Sequence, residues 1–225
     1  MSGTIDITQM AGRSLGHVAL HYGPAEEGPL AARLLKTLGF VETQDLPLPD
    51  GHFYRFVVDP KHQARGDGIV YLSTVPDPQR QLTEAIRGAL KVGTTDEHPA
   101  VAGMRAGMAA DPEMTFHLGV LLDSLEDLER VVQDVRRLAE TDPAFKGRVK
   151  VILNRARRGD PEVDARLDAS PIYGDVERYA YGRNGVQAFV ETDLLRSGLL
   201  GESLVLELDY VFPGRTDHIL SAVEI

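Results

Sequence analysis

Cysteine is absent from this sequence of 225 residues, and so is tryptophan. Without cysteine the chain has no disulfide framework, no thiolate zinc site and no cysteine nucleophile, so any metal would be held by His, Asp, Glu or Tyr side chains. Aromatic residues are few, at 6% of the chain. No apolar run approaches the length of about 18 residues that a membrane-spanning helix needs, so we expect no membrane partner.

Positive charge is also in short supply. Lys and Arg number 24 against 34 Asp and Glu, which gives a formal net charge of −10. A general nucleic-acid binder needs a basic surface that neutralises phosphates, so we expect no nucleic-acid partner. The first residues, Met1 to Asp6, lack a basic stretch followed by an apolar one. This predicts that there is no signal peptide and that the location is cytoplasmic.

Several familiar catalytic motifs are missing as well. The sequence contains no phosphate-cradling glycine loop, no Walker pattern and no G-x-S-x-G elbow, which leaves nucleotide-binding and serine-hydrolase functions without support. Its hydrophobic fraction of 43% and charged fraction of 26% are those of an ordinary globular protein. A chain of this length can bury a core without help from disulfides or zinc.

What the sequence does contain is an order of elements that occurs twice. In the first copy, apolar residues alternate in four predicted strands, and one helix has apolar residues at helical spacing. These elements are a strand over 15–22, a helix over 29–38, a strand that begins at Phe40, and strands over 52–59 and 68–75. A further helix over 78–91 follows the first copy.

The second copy begins about one hundred residues later, and its elements follow the same β-α-β-β-β order. They are a strand over 115–122, a helix from Ser124 to about Glu140, and strands over 148–154, around 176–182 and 186–192, and over 203–212. The charged stretch 155–170 is interpreted as an inserted loop. Ranges 176–182 and 186–192 are either one long bent strand or a hairpin.

The repeat predicts the domain organisation and the fold class. Residues 14–91 would form a first βαβββ module with a trailing helix, 92–113 a connector with a short helix around Val101–Met108, and 114–225 a second module. We expect an α+β fold in which the tandem modules pair into a curved mixed sheet around one cavity.

Two short stretches resemble the vicinal oxygen chelate superfamily, which includes glyoxalase I, extradiol dioxygenases, fosfomycin-modifying thiol transferases and bleomycin-resistance proteins. The first is Gly16-His17-Val18-Ala19-Leu20, followed after a helix by a segment that ends in Leu38-Gly39-Phe40. The second is Phe116-His117-Leu118-Gly119-Val120 with its helix. The second copy departs from the pattern, because Thr141 to Phe145 stands where the Leu-Gly-Phe ending would be.

The resemblance implies a metal inside the cavity, held by residues on the first and last strands of each module. The matching positions here are His17 and His117 on the first strands, and Tyr71 and Glu207 on the last strands. Tyr71 departs from the carboxylate of glyoxalase I-like proteins, so the set His17, His117 and Glu207 is closer to that of the fosfomycin-modifying enzymes. Two imidazoles and a carboxylate suit Zn, Fe, Mn or Ni and leave room for substrate.

The alternation within the strands supports this set. If Leu206 and Leu208 pack on the helix, Glu207 and its neighbour Asp209 face the other way. The same reasoning turns His117 away from Leu118, and His17 away from Val18. Each residue also has a structural interpretation, as a polar group on a solvated strand face. Asp209 and Glu191 remain alternatives to Glu207 as the carboxylate ligand, and Tyr71 is either a pocket hydroxyl or part of the lining.

The sequence leaves two small-molecule functions open, besides a non-catalytic duplicated domain that is used for protein contacts. The first is a metal-dependent lyase, isomerase, transferase or oxygenase that acts on a small oxygen-chelating substrate, with Glu207 and Tyr71 as catalytic candidates. The second is a metal-free small-molecule-binding protein, similar to the bleomycin-resistance proteins, that uses the same cavity. We expect a monomer or a homodimer in either case.

Six basic residues stand in the range 146–158 with no acidic residue between them. They are Lys146, Arg148, Lys150, Arg155, Arg157 and Arg158. On a solvated edge strand such charges deter pairing with another sheet. Alternatively, they would attract an anionic substrate.

Overall fold

A computed structural model describes residues 14–114 and 116–221 of the chain. Its eight strands form one curved mixed sheet, which six helices accompany. The predicted α+β class is therefore confirmed.

The first half of the chain follows the predicted β-α-β-β-β order. Its elements are β1 (His17–Tyr22), α1 (Gly28–Thr37), β2 (Val41–Leu48), β3 (Gly51–Val57), a short helix α2 (His62–Arg65) and β4 (Ile69–Thr74). Pro29 stands in the first turn of α1, where its missing N–H costs nothing. Gly39, with a φ of 94°, allows the chain to leave this helix in a left-handed conformation.

The second half repeats this order of strands, but its second helix lies between the second and third strands instead of between the third and fourth. Its elements are β5 (His117–Leu121), α5 (Leu125–Thr141), β6 (Val149–Asn154), α6 (Pro161–Asp168), β7 (Gly185–Ser197) and β8 (Glu202–Val211). The Ser124 side chain accepts a hydrogen bond from the backbone N–H of Asp127 and so caps α5, as the sequence predicts.

Strand order is the same in both halves. In the first, β4 lies between β3 and β1, and β1 runs parallel to β4. In the second, β8 lies between β7 and β5, and β5 runs parallel to β8. The halves join where His21 and Tyr22 of β1 pair with Arg196 and Leu195 of β7. One hydrogen-bonded sheet therefore carries residues from both copies.

Helices α1 and α5 cover the same side of the sheet with their apolar faces. Leu34 and Leu35 of α1 are fully buried, as are Leu128 and Val132 of α5. Leu206 and Leu208 of β8 belong to the same core. Alternation in β8 then turns Glu207 and Asp209 toward the face of the sheet that the helices leave uncovered.

Two predictions of secondary structure need correction. The stretch 155–170 contains helix α6, whose first turn is capped by the Asp160 side chain accepting from two backbone N–H groups. The charges that suggested a loop are used in this cap and in ion pairs. Residues 176–182 form no strand, and their one ladder contact is an isolated bridge between Arg155 and Tyr179. The long strand of this region is β7 alone.

Helix α3 (Asp77–Ala89) follows the first half, and the connector contains α4 (Pro99–Ala110). No residue of α3 is buried, and Val101 is the buried residue of α4. Within the described part of the chain, no helix combines the length and the apolar character that crossing a bilayer requires.

Candidate functional site

The pairing register of the second half collects polar residues on the uncovered face. Glu207 lies opposite Gly119 of β5 on one side and opposite Phe189 of β7 on the other. Gln187 lies opposite Asp209. Paired residues in neighbouring strands point to the same face, so the side chains of Gln187, Glu207 and Asp209 share it with His117.

The imidazole of His117 contacts the carboxylate of Glu207. The distance from Nε2 of His117 to Oε2 of Glu207 is 3.0 Å. Glu207 is 5% exposed, whereas the His117 side chain is 30% exposed. A buried carboxylate therefore holds a ring that solvent and a bound molecule can still reach.

Three side chains around this pair were not predicted from the sequence. Gln187 donates from Nε2 to Oε1 of Glu207 at 2.6 Å, which fixes the carboxylate from the side opposite His117. Asn154 donates to the side-chain oxygens of Gln187 at 3.3 Å and of Glu113 at 3.4 Å. Glu113 comes from the turn before β5. Only the tertiary structure joins these residues, since no local pattern links them.

Two carboxyl groups of this cluster, those of Asp209 and Glu113, have raised pKa values. Burial, and then the neighbouring negative charge of Glu207, raises the pKa of Asp209 to about 8. Burial, and then Glu207, also raises the pKa of Glu113. Oδ1 of Asp209 is buried and accepts no hydrogen bond from the described residues. Burial of these carboxyl groups close together destabilises the fold. Carboxyl groups with perturbed pKa values are more frequent at functional sites than elsewhere.

Gly119 leaves open space in front of the carboxylates. A Cβ atom at this position would lie 3.5 Å from Oδ2 of Asp209 and 3.8 Å from Oε2 of Glu207. Both distances are ordinary van der Waals contacts, so an alanine would fit without strain but would occupy this space. A residue larger than glycine at position 119 would project into the path by which a small molecule approaches the carboxylates.

In the first half, the equivalent positions hold His17 and Tyr71. Their ring centroids are 5.3 Å apart, and Phe53 lies 5.4 Å from Tyr71 on its other side. The Tyr71 ring thus packs between His17 and Phe53 on the uncovered face of the sheet in the first half. His17 stands on β1 and His117 on β5, and these strands are not neighbours in the sheet.

Of the three predicted metal ligands, His117 and Glu207 are in contact, whereas His17 lies on β1, which is next to neither of their strands. The contact between His117 and Glu207 supplies an imidazole nitrogen and a carboxylate oxygen, both of which suit Zn, Fe, Mn or Ni. Across residues 14–114 and 116–221, no group of three or more His, Asp or Glu side chains is arranged to hold an ion. The chemistry of the donors fits a metal, but the described geometry does not assemble three ligands, so metal binding by His17, His117 and Glu207 stays a prediction.

The two alternative carboxylates differ in position. Asp209 belongs to the cluster and is 5% exposed. Glu191 lies on β7 opposite Val205 and Lys150, and it is partly exposed. Of the two, Asp209 is the one whose side chain interacts with Glu207.

Three arginines of the basic stretch 146–158 form ion pairs within the chain. Arg148 pairs with Glu27 and, at 2.8 Å, with Asp193. Arg155 is 1% exposed and pairs with Asp168 at 2.9 Å, and Arg158 pairs with the same carboxylate at 2.6 Å. Arg148 thus connects the first half to β7, and Arg155 and Arg158 connect to the end of α6.

Comparisons with known proteins leave the family unassigned. The sequence matches no family model, and a search of curated proteins finds no significant match. One solved structure covers 89% of this chain and 100% of its own, with 12% identity and a TM-score of 0.38. It is described as a glyoxalase/bleomycin resistance protein/dioxygenase family enzyme from Burkholderia phytofirmans PsJN. A xylose isomerase-like TIM barrel/4-hydroxyphenylpyruvate dioxygenase fusion protein covers 92% of this chain and 27% of its own, with 13% identity and a TM-score of 0.19. Likenesses this weak do not identify the activity of this chain.

Proposed function

We propose that this chain is an enzyme of the glyoxalase and dioxygenase type, and that it acts on a small oxygen-chelating molecule at the His117–Glu207 pair. The observation that carries the proposal is the 3.0 Å contact between a partly exposed imidazole and a buried carboxylate. These two residues stand on the first and last strands of the second βαβββ unit, where the resemblance of the sequence expects two ligands.

The residues around the pair have distinct roles in this proposal. Gln187 and the surrounding sheet hold Glu207 in one orientation, because its Oε1 accepts the Gln187 amide. A fixed carboxylate in turn orients the His117 ring, which places both groups to hold an ion beside the substrate. Gly119 leaves room for the substrate beside both groups.

The proposed cofactor is a divalent ion of the Zn, Fe, Mn or Ni type, with His117 and Glu207 as two of its ligands and His17 as the predicted third. When bound, such an ion supplies Lewis acidity toward adjacent oxygens of the substrate. Tyr71 is proposed as a hydroxyl group that contacts the substrate from the first half. The enzyme that we propose acts in the cytoplasm, and it needs neither a nucleic acid nor a membrane.

Metal content tests this proposal. The wild type would be loaded separately with Zn²⁺, Mn²⁺, Ni²⁺ and, without oxygen, Fe²⁺, and the bound metal would be measured after gel filtration. We expect about one ion per chain, loss of the ion in His117→Ala and Glu207→Gln, and retention in His98→Ala, which alters an exposed histidine at the start of α4. Turnover of a catechol or a 1,2-dicarbonyl compound by the loaded protein, absent in His117→Ala, would identify the enzyme.

A metal-free binding protein is the second candidate. The observation that favours it is the contact of Tyr71 with both His17 and Phe53, which gives the first half an aromatic surface for stacking. Failure to bind any of the four ions would overturn the metal enzyme. Binding of a planar aromatic ligand by the wild type, with at least tenfold weaker binding by Tyr71→Ala, would then support this second function.

A further inference from the structure

A cavity that includes neither His117 nor Glu207 lies between β1 and β4 of the first half and β5 of the second. Its volume is about 300 Å³, and its wall combines Val18 of β1, Val70 of β4 and Leu118, Val120 and Leu121 of β5. The wall is mostly apolar. Apolar cavities of about 150 Å³ stay dry and bind benzene, so a ring compound with substituents fits this volume.

Two polar atoms in the wall of this cavity are buried without a hydrogen bond. They are Oδ1 of Asp67 and Nδ1 of His62. Asp67 is 7% exposed, so solvent does not compensate for the missing donor. Unpaired buried polar atoms cost about 1–3 kcal/mol each. Two of them in one apolar cavity point to a ligand that supplies the missing partner.

The charge around Asp67 determines which kind of donor fits. Its second oxygen, Oδ2, already pairs with Nε of Arg65 at 3.0 Å. A cationic ligand would therefore bring a second positive charge to a carboxylate that Arg65 already compensates, inside an apolar cavity where unpaired charge is costly. A neutral hydroxyl group donates to Oδ1 without this penalty, and its oxygen can accept from His62.

We propose that this cavity binds a compact, neutral ring compound that carries one hydroxyl group, such as a phenol. The hydroxyl lies at Asp67 and His62, and the ring lies among Val18, Val70, Leu118 and Val120. The site uses neither His117 nor Glu207, but it shares Gly119 with the site proposed above, because Gly119 also lines this cavity. A bound ligand would connect β5, an edge strand, to the first half.

Binding of phenol and of toluene to the metal-free wild-type chain tests the proposal, because the two probes differ in the hydroxyl. Isothermal titration calorimetry would give both affinities, and amide chemical shifts would locate the probe. We expect phenol to bind at least tenfold more tightly than toluene, a ratio that corresponds to one hydrogen bond to a charged acceptor. Shifts should be confined to the cavity wall.

Two variants separate the cavity from other apolar surface. Leu121 lines the cavity and is 57% exposed, so Leu121→Trp adds bulk to the cavity wall without disturbing the core. It should abolish phenol binding. Leu48→Trp, the matched control on β2 with a side chain 45% exposed, should bind phenol like the wild type. Asp67→Asn should reduce the preference for phenol over toluene severalfold.

Three results would overturn the site. The first is no saturable phenol binding by the wild type, and the second is equal affinity for phenol and toluene. The third is unchanged binding in Leu121→Trp, verified as folded by its circular dichroism, since that would place the probe elsewhere on the molecule.

Discussion

Nε2 of His117 lies 3.0 Å from Oε2 of Glu207, and Oε1 of the same carboxylate accepts the side chain of Gln187 at 2.6 Å. One buried carboxylate is thus held from both sides, and Asp209 follows it on the same face. This arrangement stabilises the position of the imidazole at the expense of the fold, because two acidic groups are buried together.

Replacement of Glu207 by Gln should therefore stabilise the protein. The amide keeps an oxygen for Gln187 and removes the negative charge beside Asp209, so we expect the free energy of unfolding at pH 8 to rise by about 1 kcal/mol. Urea denaturation of the wild type and of Glu207→Gln measures the change. Lower stability of the variant would show that the charge of Glu207 stabilises the fold.

The pairs of Asp168 with Arg158 and Arg155 predict a dependence of stability on pH. Hydrogen bonds from Arg158, and then from Arg155, lower the pKa of Asp168 to about 2. A carboxyl group whose pKa is lower in the folded state stabilises the fold above its unfolded pKa, near 3.8, and this contribution disappears as the pH falls toward the folded value.

Asp168→Asn should accordingly lower the melting temperature at pH 7, and the difference from the wild type should shrink between about pH 4 and about pH 2. Asp96→Asn is the control, because Asp96 pairs with the exposed Lys91 at 3.3 Å and exposed pairs contribute little. Thermal melts across this pH range measure both variants. A difference for Asp168→Asn that is independent of pH would contradict the assignment.

Gly68 allows the His62 ring to occupy its position in the cavity wall. A Cβ atom at residue 68 would lie 2.3 Å from Nδ1 of His62, and the φ of Gly68 is 58°. Gly66 has a φ of 79°, but a Cβ there meets nothing within 4 Å. Gly66→Ala should therefore lower the free energy of unfolding by about 1 kcal/mol through its backbone conformation alone. Gly68→Ala should lower it by more.

The additional loss of stability in Gly68→Ala should come from the clash of the new Cβ atom with the His62 ring. In the double variant Gly68→Ala with His62→Ala, we expect part of the lost stability to return, because the clash is removed. Chemical denaturation of the two single variants and the double variant gives the coupling. Strictly additive effects would indicate that the His62 ring does not lie over Gly68.

Tyr22 connects the first strand to the hairpin of β2 and β3. Its hydroxyl group donates to the carbonyl of His52 and accepts from the backbone N–H of His52, both at 2.7 Å. The Tyr22 side chain is fully buried. Tyr22→Phe should lower the free energy of unfolding by about 1–3 kcal/mol, because it leaves two backbone groups without partners. A loss well below this range, measured in urea, would mean that water replaces the hydroxyl.

Much of the fold could be predicted because it rests on local patterns. The strands predicted over 115–122 and 203–212, and the helix predicted from Ser124 to about Glu140, correspond to β5, β8 and α5, since each pattern is a property of one element. The repeated β-α-β-β-β order followed from these. Helix α6 was missed because its polar residues, such as Asp160, form a cap and ion pairs that no apolar spacing reveals.

The sequence by itself determined which face of each strand carries its polar groups, because successive side chains of a strand point to opposite sides. That is why Glu207 and Asp209 could be separated from Leu206 and Leu208. Only the tertiary structure decided which side chains contact these carboxylates. The pairing register between distant strands brought His117 and Gln187 to Glu207. The packing of β5 near β1 and β4 placed Asp67 and His62 in the wall of a cavity.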